Sequence, residues 1–306
     1  MKYLVVLPDV DYFIWQMLVQ INNFKKFDLD FDLVYVIVRT STKGNDFLYR
    51  LGELDSKCDF HVYDDSRVNA KYASSLRPYL LKTFFKEHKG LYNNQEFFYL
   101  DPDVILTKKT KFNKLLKNKF WYVSDTCSYI DSNYIKGKSE QLFKEMCEIV
   151  GIDPKIVEEN DKNAGGAQYI MKNLTPEYWE KVEKDSEALY RHMTDTSSTY
   201  HPEHPIQAWT ADMWAVLWNA WYFGHKTKIV KELNFSWATD PIERWNENAL
   251  YHNAGATPDR KDLFVKTDYQ VSPFNKDLSH VSDSNCSFNY VKEIKDTEIN
   301  FKEFLF

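Results

Sequence analysis

Two aspartates one residue apart, Asp101 and Asp103, end an apolar run in FFYLDPDVIL (97–106), and an apolar run resumes directly after them. Carboxylates this close repel, and burying either one without a partner is costly. Together they are hard oxygen ligands suited to Mg²⁺ or Mn²⁺, ions that bridge a protein to substrate phosphates. The plainer reading is a strand-end turn, in which an aspartate accepts hydrogen bonds from local backbone N–H groups.

The elements around the pair decide what it faces. KYLVVLP reads as a buried strand stopped by Pro8, YFIWQMLVQINNF as a helix and FDLVYVIVRT as a second strand. DFLYRLGEL is expected as a short helix and CDFHVYD as a third strand. SSLRPYLLKTFFKEH reads as a helix, with Ser74 or Ser75 as its cap and Pro78 in its first turn. EFFYL is then a fourth strand, ending at Asp101. This alternation predicts an α/β fold with a mostly parallel central sheet flanked by helices. Ligands of such sheets bind beyond the C-terminal ends of the strands, where the aspartate pair lies.

The second half is less regular. FWYVSDTCSYI suggests a strand and a loop, and NAGGAQYIMKN a small-residue turn before a strand. TPEYWEKVEKDSEALYRHM reads as a helix capped by Thr175, TADMWAVLWNAWYFG as a helix carrying three tryptophans, and YHNAGA as a turn. HPEHP, with His201 and His204, reads as a proline-pinned loop. After about residue 256 the chain is polar, and this tail is expected to wrap or extend the domain. With no internal repeat or low-complexity linker, residues 1–306 are expected to form a single domain.

Composition narrows the function. The hydrophobic fraction of 43% suits a sizeable core, and the aromatic fraction of 16% serves that core or lines a sugar or base site. A net charge of -6, from 39 basic and 45 acidic residues, argues against a protein whose main task is holding nucleic acid by its phosphates. Cys58, Cys127, Cys147 and Cys286 have no CxxC spacing and read as reduced thiols. The N-terminal apolar run is too short for a signal peptide, and no later run has membrane-spanning length, so a soluble cytoplasmic protein is expected.

The order of motifs resembles the GT-A glycosyltransferases, nucleotide-sugar-dependent enzymes with a DxD motif, and most of all their glycogenin and galactinol synthase group. The resemblance covers roughly residues 1–256. It is carried by the basic helix with RPYLLK, the strand running into DPD, the NAGGAQYIM turn and the late YHNAGA. It implies a GT-A-like fold with about 1–110 as the nucleotide-binding half, about 111–256 as the donor-sugar and acceptor half, and 257–306 as a C-terminal extension.

The resemblance also implies roles. Asp101, Asp103 and His252 would hold Mn²⁺ or Mg²⁺ on the diphosphate of a donor, most often a UDP-sugar. Arg77 and Lys82 would offset the diphosphate or hold the nucleotide. Asn163, Gly165 and Gly166 would approach the donor sugar, and Asp212 would face the sugar being transferred. Asp9, Asp11 and Tyr12 would lie at the nucleotide base, with Tyr12 stacking on it. The related enzymes carry a lysine soon after the histidine–glycine turn; here Arg260 and Lys261 lie slightly further along and would substitute. Each residue also has a structural reading: a solvated helix face for Arg77 and Lys82, an ordinary loop for the glycines, a helix-dipole carboxylate for Asp212 and a backbone-bonded turn residue for His252.

The resulting expectation is a hexosyl- or pentosyltransferase, retaining at the anomeric carbon. Its acceptor would be a hydroxyl of a glycan, a protein, a lipid-linked sugar or a hydroxylated DNA base. Two other classes remain open. One is a sugar-nucleotide or glycan-binding module without catalysis. The other is a phosphatase, because LDPDVI locally resembles the haloacid-dehalogenase motif of an Asp nucleophile and an Asp acid/base two residues on.

Overall fold

A computed structural model describes residues 1–40, 45–92, 94–110 and 112–305. In chain order the strands are β1 (Lys2–Pro8), β2 (Leu33–Arg39), β3 (Asp59–Asp64), β4 (Phe97–Leu100), β5 (Val104–Leu106), β6 (Trp121–Asp125), β7 (Gly165–Met171), β8 (Thr227–Ile229), β9 (Phe235–Trp237) and β10 (Leu250–His252). The fold class is α/β. The chain forms two compact units, one of residues 1–64, 100–112 and 232–306, the other of residues 65–99 and 113–231. The expected halves, 1–110 and 111–256, therefore each contribute to both units.

In the first unit, β1 and β2 are nearly continuous apolar runs, the composition of strands buried on both faces. They pair in parallel, and β2 pairs in parallel with β3. The crossover from β1 to β2 is the helix Asp11–Lys26, whose Ile14, Trp15, Met17, Leu18, Val19, Ile21 and Phe24 are buried. A second small sheet has the order β5-β10-β9, with β10 antiparallel to β5 and parallel to β9. The tail after residue 256 is part of this unit's core: its helix Ser287–Asn300 buries Tyr290, Val291 and Ile294 and packs on the helix Asp11–Lys26.

In the second unit β7 runs antiparallel to both β4 and β6, while β6 pairs in parallel with β8. The parallel pattern of the first hundred residues thus gives way to a mixed one. Of the helices Leu76–Glu87, Pro176–Asp195 and Ala211–Tyr222, the first and the third both pack on the second. Thr175 caps the second of these, its hydroxyl oxygen accepting from the Tyr178 N–H at 3.2 Å. Trp214, Trp218 and Trp221 of the third are all buried.

Several local expectations differ from the structure; the loop expected within FWYVSDTCSYI, for one, is helical at Cys127–Ile130. Ser75 precedes the helix Leu76–Glu87 in helical conformation and makes no side-chain cap. Its hydroxyl instead donates to Tyr72 O at 2.8 Å and to the Glu187 carboxylate at 2.6 Å. YHNAGA does not begin as a turn, because Leu250–His252 is strand β10, stitched between two neighbours.

Candidate metal centre

Asp101, Pro102 and Asp103 form a tight turn between β4 and β5, closed by Val104 N–H donating to Asp101 O at 3.1 Å. Polar residues on the otherwise apolar helix Asp11–Lys26 hold this turn from within. Gln20 is buried, and its amide N–H₂ donates to Asp101 O at 3.0 Å and to Val104 O at 2.7 Å. Its amide oxygen accepts from the Tyr35 hydroxyl at 2.8 Å. One turn further on, Asn23 pairs with Leu106 in both directions, at 2.9 and 3.0 Å. Buried amides so fully satisfied leave the turn little freedom.

Register brings the histidine to the turn. His252 lies opposite Val104 in the β10–β5 pair, and Asn253 N–H donates to Asp103 O at 3.0 Å. His252 Nε2 is 3.4 Å from Asp103 Oδ1 and 3.8 Å from Asp101 Oδ2. Trp237, its partner across β9–β10, lies flat on the imidazole with ring centroids 5.9 Å apart. One donor atom from each of Asp101, Asp103 and His252 lies within 4.8 Å of the others. Around an octahedral ion with bonds of about 2.1 Å, adjacent ligands sit about 3 Å apart and opposite ones about 4.2 Å. The two carboxylates and the imidazole suit such an ion in chemistry, and their donor atoms, within 4.8 Å of one another, would close up slightly around it.

A cation that the sequence reading did not single out already touches the cluster. Lys266 Nζ is 2.5 Å from Asp103 Oδ2. Burial alone would raise the Asp103 carboxyl pKa, but Lys266 and His252 outweigh it and hold the group well below the usual carboxylate range. Burial opposes the charge on Lys266 as well, and Asp103 outweighs it, so the ammonium pKa is raised. Aromatic packing in the tail explains how this lysine arrives. Trp15 Nε1 donates to Tyr269 O at 3.0 Å, Trp15 meets Phe264 edge-on at 5.9 Å, and Phe264 stacks on Tyr269 at 4.9 Å. Lys266 lies on the short turn of helix between those two rings.

Asp9, at the C-terminal end of β1, is buried. Its Oδ1 accepts from Thr40 N–H at 2.7 Å and from the Thr40 hydroxyl at 2.5 Å, while Oδ2 finds no partner among the described residues. Tyr12 is half-buried and close enough to Lys266 and Asp103 to feel both charges; burial is the main reason its hydroxyl pKa is raised. Asp11 is the exposed first residue of its helix. Arg260 is bound to Asp262 at 2.9 and 3.0 Å, and Lys261 is exposed.

The remaining predicted residues lie in the second unit. Arg77 forms an ion pair with Asp212, whose other carboxylate oxygen accepts from the Tyr72 hydroxyl at 2.6 Å. Lys82 pairs with Glu183 at 2.5 Å. Asn163 presents its carbonyl to the Thr227 hydroxyl at 3.0 Å. Gly165 and Gly166 belong to strand β7, where they pair with Asp125 and Ser124 beside a register shift. A Cβ on Gly165 would run into the Val123 side chain and Ser124 O, and one on Gly166 would meet Met213 and Tyr169. Close strand packing accounts for Gly165, while Gly166 faces side-chain ends. His201 and His204 have rings 5.6 Å apart in a loop and are exposed. No helix among the described residues is long and apolar enough to cross a membrane.

No family model and no curated protein matches the chain. Solved structures do. The chain is similar to the galactosyltransferase LgtC in complex with donor and acceptor sugar analogs, at 11% identity and TM-score 0.44, covering 96% of this chain and 95% of that one. It is similar to the bifunctional glycosyltransferase WbbM at 8% identity and TM-score 0.43, covering 96% of this chain but spanning only 51% of WbbM. It is similar to mouse xyloside xylosyltransferase 1 at 10% identity and TM-score 0.40, covering 84% of this chain and 98% of that one. These structures are glycosyltransferases, the class its motifs resemble; at such distances the chemistry rests on this chain's own residues.

Proposed function

We propose that the protein is a divalent-metal-dependent glycosyltransferase. It would move a hexosyl or pentosyl group from a nucleoside diphosphate donor, a UDP-sugar being the leading choice, to an acceptor hydroxyl with retention. The convergence of Asp101 and Asp103 of the strand-end turn with His252 of β10, within 4.8 Å, carries this reading. When bound, Mn²⁺ or Mg²⁺ supplies the positive charge that stabilises the leaving nucleoside diphosphate.

The chain's own residues do the rest. Asp101 reaches solvent and is the outer ligand, while Asp103 and His252 form the buried side of the centre. Lys266 adds a second positive charge beside Asp103, the role the resemblance gave to Arg260 or Lys261. Asp9 Oδ2, without a partner among the described residues, is costly to bury, and an N–H on the donor's base would satisfy it, with Tyr12 as the stacking face and Asp11 at the rim. In the second unit, Asp212 remains the residue proposed for the transferred sugar, because Arg77 and Tyr72 hold its carboxylate in one orientation. Asn163, Gly165, Gly166 and Lys82 stay with the donor in this reading, on the resemblance alone. The acceptor is a hydroxyl of a glycan, a protein, a lipid-linked sugar or a hydroxylated base, in a protein proposed to be cytoplasmic.

The test is a donor screen. Protein with Mn²⁺ or Mg²⁺ is mixed with a panel of nucleotide sugars and followed by nucleoside diphosphate release and thermal shift, beside the Asp101→Ala/Asp103→Ala double variant. Turnover of one donor, dependent on metal and lost in the variant, supports a transferase. Stabilisation by a donor without turnover points to a binding module. Phosphate release from simple phosphoesters, with nucleotide sugars untouched, points to the phosphatase.

A further inference from the structure

Asp103 has both carboxylate oxygens engaged: Oδ1 faces His252 at 3.4 Å, and Oδ2 holds Lys266 at 2.5 Å. Lys266 therefore holds an oxygen of one of the residues a metal would take. It is fixed there by the Trp15–Phe264–Tyr269 packing, and its side chain keeps 27% of its surface exposed. Two carboxylates with one ammonium leave the acidic pair a single net negative charge. A divalent cation entering among Asp101, Asp103 and His252 meets the full repulsion of that ammonium at close range.

We propose that Lys266 is a resident counter-ion that competes with the divalent metal for Asp103 and thereby sets the metal affinity of the free protein. This rests on the metal-dependent reading above. The lysine keeps a buried carboxylate paired when no metal is bound, which removes the cost of an isolated buried charge. Metal entry weakens the Lys266–Asp103 contact and frees the ammonium for another anion. The free protein then binds metal weakly, and a ligand that brings its own negative charge strengthens that binding.

Manganese affinity decides the matter. Free Mn²⁺ is followed by its electron paramagnetic resonance signal during titration of the full chain, its Lys266→Gln and Lys266→Arg variants, and the Asp101→Asn/Asp103→Asn variant. Glutamine keeps a donor to Asp103 and removes the charge. Lys266→Gln is expected to bind Mn²⁺ roughly tenfold or more tightly than the unaltered protein. Lys266→Arg should stay near the starting affinity. A lysine needed only for structure gives the opposite result, weaker binding in Lys266→Gln, and that outcome or an unchanged affinity overturns the proposal.

A second measurement needs no variant. Acylation of Lys266 by a water-soluble N-hydroxysuccinimide ester, read by peptide mass spectrometry, should rise when Mn²⁺ is added. Equal labelling with and without saturating Mn²⁺ also overturns it. Loss of the metal reading looks different: neither the unaltered protein nor Lys266→Gln binds Mn²⁺, or binding survives Asp101→Asn/Asp103→Asn.

Discussion

Trp237 lies parallel to His252, the two ring planes 11° apart, on paired residues of two adjacent parallel strands. The indole acts as a wall that keeps the imidazole turned toward Asp101 and Asp103. Residues that orient a ligand often matter to a metal site nearly as much as the ligand itself. Trp237→Ala should weaken Mn²⁺ binding by about tenfold, and Trp237→Phe by less, since a phenyl ring keeps part of the wall. Titration by paramagnetic resonance measures both. Unchanged affinity in Trp237→Ala would show that β10 alone orients the histidine.

Gln20 carries three hydrogen bonds at the aspartate turn from a fully buried position. Gln20→Leu keeps the size, leaves Val104 O and the Tyr35 hydroxyl each short of a partner, and leaves Asp101 O with the Val104 N–H alone. The expected loss is about 2–4 kcal/mol of stability, since each unsatisfied buried group costs about 1–3 kcal/mol and they relax together. Urea denaturation measures it. A loss under about 0.5 kcal/mol would mean that water replaces the amide, against the tight role given to Gln20.

Gly165 and Gly166 separate packing from ligand contact. Gly165→Ala forces a methyl group into Val123 and the backbone oxygen of Ser124, which cannot swing away. It should cost at least about 2 kcal/mol in folding stability. Gly166→Ala meets the flexible end of Met213 as well as Tyr169, and should cost less. Chemical denaturation of both variants checks the order. If Gly165→Ala is as stable as the starting protein, the β6–β7 pairing yields more readily than its close approach implies.

The cysteines should be slow to react in the folded state. Burial pushes the Cys58 and Cys147 thiols up to about 12, and the Cys127 and Cys286 thiols up to about 11. At pH 8 a free thiol with pKa about 8.5 is roughly a quarter thiolate, whereas one near 11 is about a thousandth. Reaction with a disulfide reagent is therefore expected to be at least about a hundredfold slower in buffer than in denaturant. A fast phase worth one thiol in buffer would single out a cysteine that opens to solvent.

Much of this was written locally in the chain. The apolar runs Lys2–Pro8 and Leu33–Arg39, the helix between them and the strand running into Asp101 follow from side-chain periodicity, which acts over a few residues. Thr175 before Pro176 marks a helix start for the same reason. The acidic pair marks itself, because two carboxylates beside a buried strand need a cation. Gln20 and Asn23 left a trace too, as amides in the middle of an apolar helix, but their partners were not visible. Lys266 left none: it sits in a polar tail and meets Asp103 across 163 positions of sequence. Likewise His252 reaches the aspartates through the β10–β5 register, and Gly165 is glycine because of a neighbouring strand, not because of a turn. Local pattern determined which residues had the chemistry. Only the tertiary structure decided which of them meet, because opposite charges and close-packed backbones act through space and carry no periodicity along the chain.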